Sequence, residues 1–210
     1  MMSDNKRGRL VVVSGPSGVG KGTVLEYVLK RDDFVYSVSA TTRKPRPGEI
    51  DGVHYSFKTV EEFEHDIETG EMLEHAVFNG NYYGTPKSAI EEKLSEGKDI
   101  ILDIEIQGAK NVKRLMPEAV LVYLLPPSIE ELKRRLIGRN TEDAETIAGR
   151  LHTAKSELKE APELYDYFIV NDLVDNAAIK IKDIIEGERY SKNAMQDVLK
   201  QILEEAENLA

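Results

Sequence analysis

The chain has 210 residues, enough for one domain of ordinary size that folds around its own hydrophobic core. It contains no cysteine, so disulfides, thiolate metal sites and a cysteine nucleophile are excluded. The formal net charge is −10, with 38 acidic and 28 basic side chains. Such a surface repels nucleic acids and anionic membranes, so we expect small-molecule partners and no polynucleotide or membrane partner.

The apolar runs are short, and the longest are Leu10–Val13 and Ala119–Leu125. A membrane-spanning helix needs about 20 apolar residues, so neither run is long enough to span a bilayer. The first residues are polar and then basic, and the apolar stretch behind them is too short for a signal peptide. We therefore expect a cytoplasmic protein. Its oligomeric state stays open, with a homodimer as one option.

Short apolar strands alternate with amphipathic helices, which is typical of an α/β fold with a mainly parallel sheet. Strands are predicted at Leu10–Ser14, Val35–Ser39, Asp99–Ile104, Ala119–Leu125 and Tyr167–Val170, and a helix at Lys21–Arg31. Three further helices are predicted to begin at capping boxes, which are Thr59 with Glu62, Ser88 with Glu91, and Ser128 with Glu131.

Two segments interrupt this alternation. Between Thr41 and Pro86 the pattern is short strands and turns, with a hairpin-type turn at Asn79-Gly80, which indicates a small β-rich lobe inserted in the core. Between Arg139 and Lys159 the chain is highly charged and has only a thin apolar seam, which indicates a helical lid outside the core. The seam consists of Ile147, Leu151, Ala154 and Leu158.

The organisation predicted from these patterns is a single domain over residues 1–210. Its core comprises about 8–38, 87–138 and 160–210, its lobe about 39–86 and its lid about 139–159. The tail, Ser191–Ala210, is predicted to be an amphipathic helix with its apolar side facing inward. The residues of that side are Met195, Val198, Ile202 and Leu203.

A glycine-rich segment, GPSGVGKGT, joins the first predicted strand to the first predicted helix. Glycines let backbone N–H groups turn toward phosphate oxygens, the helix N-terminus adds partial positive charge, and Lys21 supplies a point charge for the β- and γ-phosphates. The alternative is a glycine-rich turn with a surface lysine, but strand, loop, lysine and helix stand here in the order that a phosphate loop requires. The predicted ATP-binding residues are Gly15, Pro16, Ser17, Gly18, Val19, Gly20, Lys21, Gly22 and Thr23.

The loop departs from the usual phosphate-loop pattern at Gly22, where a serine or threonine normally holds Mg²⁺. No side chain there can bind the ion. We therefore expect Mg²⁺ to be held by phosphate oxygens and water, with no direct protein ligand and with Asp103 acting through a water. The hydroxyl of Thr23, one position further on, would serve the α-phosphate instead.

The predicted lobe carries a candidate site for a phosphate acceptor. Arg43 and Arg46 lie in a proline-containing loop, and Tyr55 follows them. Two guanidinium groups and a phenol that converge would clamp a monophosphate. The alternative is a solvated basic loop, which two arginines alone do not exclude.

These motifs, together with EHAVFNGNYYGTP (Glu74–Pro86) and ILDIEIQG (Ile101–Gly108), resemble the guanylate kinase family from Arg9 to about Tyr190, in the family's order and spacing. The resemblance implies an α/β phosphate-loop (P-loop) core of three layers that transfers the γ-phosphoryl group of ATP to GMP or dGMP. It implies that guanine is contacted by Ser39, Glu74, Thr85 and Asp103, and the GMP phosphate by Arg43, Arg46, Tyr55 and Tyr83. It also implies catalytic roles for Lys21, Arg43, Arg139 and Arg150, and a place for Asn171 at the adenine of ATP.

The chemistry of guanine agrees with that assignment. Guanine presents N1–H and an exocyclic NH₂ along one edge, and the carboxylate of Glu74 can accept from both, whereas adenine presents a lone pair at N1. A surface glutamate on an edge strand is the alternative for Glu74. Asp103 follows apolar strand residues, where a carboxylate without a partner would be costly.

Two other functions stay open from the sequence. One is a guanylate-kinase-like binding module without activity, of the kind found in scaffold proteins; Lys21, Arg43, Arg139 and Arg150 argue against it. The other is a kinase for a different acceptor such as AMP or UMP, against which Glu74 and Asp103 argue.

Overall fold

The computed structural model describes residues 7–31, 34–78, 80–138 and 144–207. The strands are β1 (Leu10–Ser14), β2 (Val35–Tyr36), β3 (Ala40–Thr41), β4 (Ser56–Phe57), β5 (Met72–Phe78), β6 (Asn81–Pro86), β7 (Ile100–Asp103), β8 (Val120–Leu125) and β9 (Tyr167–Val170). The helices are α1 (Lys21–Arg31), α2 (Val60–Glu68), α3 (Lys87–Ser95), α4 (Ile106–Leu115), α5 (Ile129–Ile137), α6 (Ala144–Glu160), α7 (Val174–Glu188) and α8 (Gln196–Glu207), with a 3₁₀ turn at Ala161–Glu163.

The main sheet has the strand order β2-β7-β1-β8-β9, and its pairings are all parallel. The central strand β1 is buried along its whole length, as expected for a parallel strand covered on both faces. Its side chains alternate between the faces: Leu10 and Val12 pack with residues of α3 and α4, and Val11 and Val13 with residues of α1 and α7. The predicted α/β fold, a parallel sheet between two helical layers, is confirmed.

Because these strands are parallel, their carboxyl ends meet at one edge of the sheet. The hydroxyl of Ser14, at the end of β1, donates to the carbonyl of Ile104 just beyond β7 at 2.7 Å. The loops after β1, β7, β8 and β9 therefore leave the sheet side by side. In open α/β sheets this edge is where ligands bind.

A second sheet has the order β4-β3-β6-β5, in which β3 and β4 are parallel and the other pairs antiparallel. Helix α2 packs on it through the buried Phe63, whose ring stacks on Tyr82 at 5.2 Å. Gly80, in the turn between β5 and β6, has φ of 75°, and Asn79, predicted to share this turn, lies outside the described residues. This sheet is the β-rich insertion that the sequence predicts.

Helix α6 packs on α5 through the predicted apolar seam. Ala154 is buried against Leu132 and Leu136, with Ile147 and Leu151 half-buried beside them. The fourth seam residue, Leu158, packs instead against the core on the α4 side of the main sheet. The segment before α6, which includes Arg139, lies outside the described residues.

The predicted helix starts have three outcomes. The capping box of Thr59 and Glu62 is present in full. Ser128 accepts from the amide of Glu131, but the carboxylate of Glu131 binds Arg134 and Arg135. The prediction at Ser88 with Glu91 is wrong, because α3 begins at Lys87 with Pro86 as its N-cap. The Lys87 amide there donates to the Glu71 carbonyl at 2.7 Å, so β5–β6 pairing rather than a hydroxyl sets the helix start.

The strands predicted at Asp99–Ile104 and Ala119–Leu125 are slightly shorter in the structure, and two further elements differ more. The second strand ends at Tyr36 instead of Ser39, because the chain then crosses to the second sheet and pairs there from Ala40. The inward face predicted for the tail is wrong: α8 has no buried residue, and Ile202 and Leu203 are 53% and 64% exposed. Amphipathic spacing shows which side of a helix is apolar, but not whether a core surface lies near it.

Within the ranges described above, no helix is both long enough and apolar enough to cross a membrane.

Candidate active site

The loop between β1 and α1 depends on glycine at two positions. Gly18 and Gly20 have φ of 88° and 98°, in the left-handed region that favours glycine. A Cβ on Gly18 would lie 2.7 Å from Leu136, and one on Gly20 would lie 2.8 Å from the amide nitrogen of Asn171. The loop can therefore keep this path only without side chains at these positions.

Two side chains hold the loop at the carbonyl of Val19. Asn171 Nδ2 donates to this carbonyl at 2.8 Å and Arg135 Nη1 donates to it at 2.9 Å. Arg135 also donates to the Asn171 carbonyl at 3.2 Å and to Glu131 Oε1 at 2.8 Å. Asn171, predicted at the site, is buried with its amide bound to the loop. Arg135 was not predicted from the sequence. The sequence signal for it is that Glu131 stands four residues earlier, where the two side chains can pair on a helix.

Lys21, the first residue of α1, forms an ion pair at the end of β7. Its Nζ lies 2.7 Å from Asp103 Oδ1 and 3.9 Å from Glu105 Oε1. The lysine and aspartate side chains are only 14% and 25% exposed. We expected Asp103 to need a partner because it follows apolar strand residues, and that partner is Lys21. Parallel pairing of β1 and β7 brings them together.

Helix α6 lies against the same loop. Arg150 Nη1 donates to Ser17 Oγ at 3.1 Å, so one predicted lid arginine contacts a predicted ATP-binding residue. Further along α6, burial and then Glu105 raise the pKa of Glu157 to about 7, while Lys21 opposes that shift. Glu157 was not predicted as a site residue. Since both Glu105 and Lys21 act on its pKa, this part of α6 is also close to the Lys21 ion pair.

On the second sheet, Glu74 of β5 and Thr85 of β6 are paired residues. Thr85 Oγ1 donates to Glu74 Oε1 at 2.7 Å, and both residues are buried. Burial raises the pKa of Glu74, and the Thr85 hydroxyl opposes the shift. Two of the four residues predicted to contact guanine are therefore together, and Glu74 is a buried acid, not a surface one.

Arg43 lies at the centre of the predicted phosphate clamp. Its Nη1 and Nη2 donate to the two carboxylate oxygens of Glu49, each at 2.9 Å, and its guanidinium lies 5.3 Å from the Tyr55 ring centre. The rings of Tyr55 and Tyr83 meet edge-on at 6.1 Å. The side chains of three of the four predicted clamp residues are thus neighbours. The fourth residue, Arg46, is exposed and joins them through its backbone amide.

Glu49 is the clamp residue that the sequence prediction missed. It is held by Arg43 and by the backbone amide of Arg46, which donates at 2.7 Å. These contacts lower the pKa of Glu49 to about 2, with the Arg43 hydrogen bond as the largest cause. The sequence did contain a signal for this role, because Glu49 is an acidic residue close to Arg43, Lys44 and Arg46. The remaining predicted residue, Ser39, is half-buried and accepts the Ser56 amide with its carbonyl at 2.9 Å.

A parallel sheet with a glycine-rich loop, a lysine and carboxylates at one edge is typical of nucleotide-binding α/β enzymes. The guanylate kinase family model matches residues 7–188, and the chain belongs to the guanylate kinase family.

The relatives agree with this membership over almost the whole chain. The chain is 54% identical to a guanylate kinase of Lactococcus lactis over 186 residues, covering 88% of this chain and 90% of the relative. It is 52% identical to a guanylate kinase of Listeria monocytogenes over 201 residues, covering 95% and 98%. The crystal structure of guanylate kinase from Anaplasma phagocytophilum is similar with a TM-score of 0.68 at 36% identity, covering 89% of each chain.

Proposed function

We propose that the chain transfers the γ-phosphoryl group of ATP to GMP, and to dGMP, giving ADP and GDP. Family membership supports this reaction. The observation that carries it is the buried Glu74–Thr85 pair, a carboxylate acceptor suited to guanine, in a chain that also has a glycine-rich loop with Lys21. The predicted domain ranges then have separate tasks: the core binds ATP, the lobe at 39–86 binds GMP, and the lid at 139–159 covers both. We propose the cytoplasm as the site of action.

The ATP phosphates would bind at the loop formed by Gly15, Pro16, Ser17, Gly18, Val19, Gly20, Lys21, Gly22 and Thr23. Its backbone amides and the N-terminus of α1 favour anions there. Lys21 would transfer from Asp103 to the β- and γ-phosphates. Asn171 would contribute by holding the loop below the adenosine, since its amide is bound to Val19.

The donor set near Lys21 fits a magnesium ion that keeps most of its waters. A Cβ on Gly22 would meet nothing within 4 Å, so glycine leaves open space and offers no hydroxyl. In the described part of the chain, no group of three or more His, Asp or Glu side chains forms a metal site. Asp103 would hold Mg²⁺ through water, with ATP phosphates as direct ligands. When bound, Mg²⁺ neutralises charge on the phosphates.

Guanine would bind at Glu74, Thr85, Ser39 and Asp103. The carboxylate of Glu74 would accept from N1–H and the exocyclic NH₂. The Ser39 hydroxyl would donate to O6, while Thr85 donates its one hydrogen to Glu74. The GMP phosphate would be held by Arg43, Arg46, Tyr55 and Tyr83. Arg43 would exchange Glu49 for the phosphate, since a carboxylate and a phosphate each offer two neighbouring oxygens to the guanidinium fork.

Catalysis would consist of alignment and charge neutralisation. The GMP phosphate is already ionised at neutral pH, so its attacking oxygen needs no general base. Lys21, Arg43 and Arg150 would stabilise negative charge on the phosphoryl group in transit, and we assign the same role to Arg139. Helix α6, which already contacts the loop through Arg150, would help to exclude water and so prevent hydrolysis of ATP.

The activity is tested by measuring ADP release from ATP and Mg²⁺ with AMP, CMP, GMP or UMP as acceptor. We expect release with GMP to be far faster than with the other three. Release with GMP no faster than without acceptor would leave a binding module, and a preference for another acceptor would reassign the pocket.

Lys21→Met in the same assay should lower kcat by roughly 10²-fold to 10³-fold, a loss comparable to that of one preorganised oxyanion donor. Its melting temperature should fall somewhat, because Asp103 loses its partner, but its circular dichroism spectrum should match that of the wild type. Lys30→Met is the matched control, because Lys30 lies on the same helix, is exposed and pairs only with Glu26 in the contacts described.

A further inference from the structure

Gly108 lies in the first turn of α4, which begins at Ile106. It is buried, and a Cβ built on it would lie 2.9 Å from Glu74 Oε2. The next nearest atoms belong to Ile104, at 3.3 and 3.4 Å. The carboxylate of Glu74 thus occupies space that any other residue at position 108 would fill with its own side chain.

The backbone of α4 does not itself require glycine at this position. Gly108 is not among the glycines with positive φ. Glycine in a helix is less favourable than alanine, because it loses more backbone entropy on folding. The Glu74 carboxylate takes the space of a side chain at position 108, and this explains why a glycine stands in the helix there.

The two oxygens of this carboxylate have different neighbours. Oε1 accepts from Thr85 at 2.7 Å. Oε2 lies 2.9 Å from the position that a Cβ on Gly108 would take. The first-turn amides of a helix lack partners within it and carry its partial positive charge, which favours an ionised carboxylate close by. The first helical bond of α4 runs from the Ala109 amide to Glu105, so Gly108 belongs to that first turn.

We propose that Gly108 is a positioning residue for guanine recognition. Its missing side chain fixes where the Glu74 carboxylate lies, and therefore how well GMP is distinguished from AMP. This inference rests on the proposed function and deepens the role given there to Glu74.

The test is Gly108→Ala, assayed by calorimetric titration with GMP in the absence of ATP and by steady-state kinetics. The added methyl should displace the end of a flexible side chain and leave the helix intact, so the melting temperature should stay the same or rise. GMP binding should weaken by roughly 10-fold to 100-fold, as for the loss of a charge-assisted hydrogen bond. The KM for ATP should not change, and the kcat/KM ratio of GMP to AMP should fall.

Gly187→Ala is the matched control, since Gly187 also lies in a helix and a Cβ there would meet nothing within 4 Å. It should leave GMP binding unchanged. Glu74→Asp in the Gly108→Ala background is the rescue. The shorter acid withdraws from the new methyl, so the double variant should bind GMP more tightly than the two single losses added together predict.

Two results would overturn the proposal. One is GMP binding by Gly108→Ala within about twofold of the wild type, where a lost hydrogen bond would cost more. The other is a parallel loss of ATP and GMP binding with a lowered melting temperature, which would mean that Gly108 serves packing alone. Absence of GMP-dependent ADP release by the wild type would instead refute the proposed function, so the two failures are distinguishable.

Discussion

At the scale of single residues, Glu74 shows how a binding group lowers the stability of its own protein. Burial raises the pKa of its carboxyl above the ordinary value of 4.5. Between the unfolded and folded pKa values, the folded chain binds more protons than the unfolded chain, so its stability falls as pH rises through that window. The charged form, which is needed to accept guanine donors, therefore forms in the folded chain only at a cost in folding free energy.

Glu74→Gln should consequently raise the melting temperature at pH 7, and that gain should shrink as the pH falls toward 4. Thr85 can still donate to the amide oxygen, so the pair survives. Recognition should suffer, because the amide NH₂ then faces a guanine donor. The kcat/KM preference for GMP over AMP, expected at roughly 10⁴-fold for a buried hydrogen-bond readout, should fall by at least about tenfold.

The control for this variant is Glu71→Gln, since Glu71 lies close in sequence and is exposed. It should alter neither the pH profile of the melting temperature nor the preference for GMP. A preference that survives in Glu74→Gln would remove Glu74 from the base pocket.

Contacts between single residues could be predicted from the sequence where the parallel sheet alone brings the two residues together. Lys21 begins the helix after one parallel strand and Asp103 ends its neighbour, so their contact follows from the predicted sheet. Glu49 and Gly108 were not predictable in this way. Their roles depend on the position of Arg43 in a folded loop and on the distance between α4 and β5, which no local pattern contains.

At the scale of elements, the contact between α5 and the glycine-rich loop can be tested by comparing two neighbouring arginines of α5. Arg135 binds the Val19 carbonyl, whereas its neighbour Arg134 is 77% exposed and pairs with Glu131. Arg135→Ala should raise the KM for ATP by about tenfold, as for the loss of one charge-assisted hydrogen bond of roughly 1.5–3 kcal/mol. Arg134→Ala should change it little, because exposed ion pairs contribute only about 0–1 kcal/mol.

Equal KM values for ATP in the two alanine variants would show that α5 does not position the loop. Melting curves of both variants separate this effect from a general loss of the fold.

The loop that carries Arg43 allows a second comparison. Arg43→Lys keeps the charge but loses the fork that binds two oxygens at once. The KM for GMP should therefore rise by roughly tenfold to 100-fold, while the KM for ATP stays the same. Lys44→Ala, an exposed neighbour, is the control. Guanosine binding as tight as GMP binding to the wild type would mean that no phosphate clamp exists.

Whole elements were predicted best where burial is continuous. The apolar run of β1 and the capping box of α2 are local, so their predicted bounds or caps agree with the structure. The start of α3 depends on the β5–β6 hairpin, and the exposure of α8 depends on where the folded core leaves the tail. Those predictions were wrong because both features are set by distant parts of the chain.

At the scale of the whole molecule, the cations assigned to the phosphates lie on three different parts. Lys21 begins α1 beside the main sheet, Arg43 lies in the loop after β3 of the second sheet, and Arg150 lies in α6. Their convergence on one phosphoryl group requires closure, so a bisubstrate analogue with Mg²⁺ should lower the radius of gyration in X-ray scattering. ATP alone should produce only part of this change. Identical free and bound profiles would contradict closure.

The internal ion pairs of Lys21 with Asp103 and of Arg43 with Glu49 have a consequence for anion selectivity. An incoming anion replaces an internal carboxylate at each cation, so binding is an exchange of counter-ions and not the filling of an open positive trap. Chloride, with one charge and no fork of oxygens, gains little by such an exchange, whereas a doubly charged phosphoryl group gains on both counts. We therefore expect chloride to compete only weakly with the nucleotide phosphates at Lys21 and Arg43.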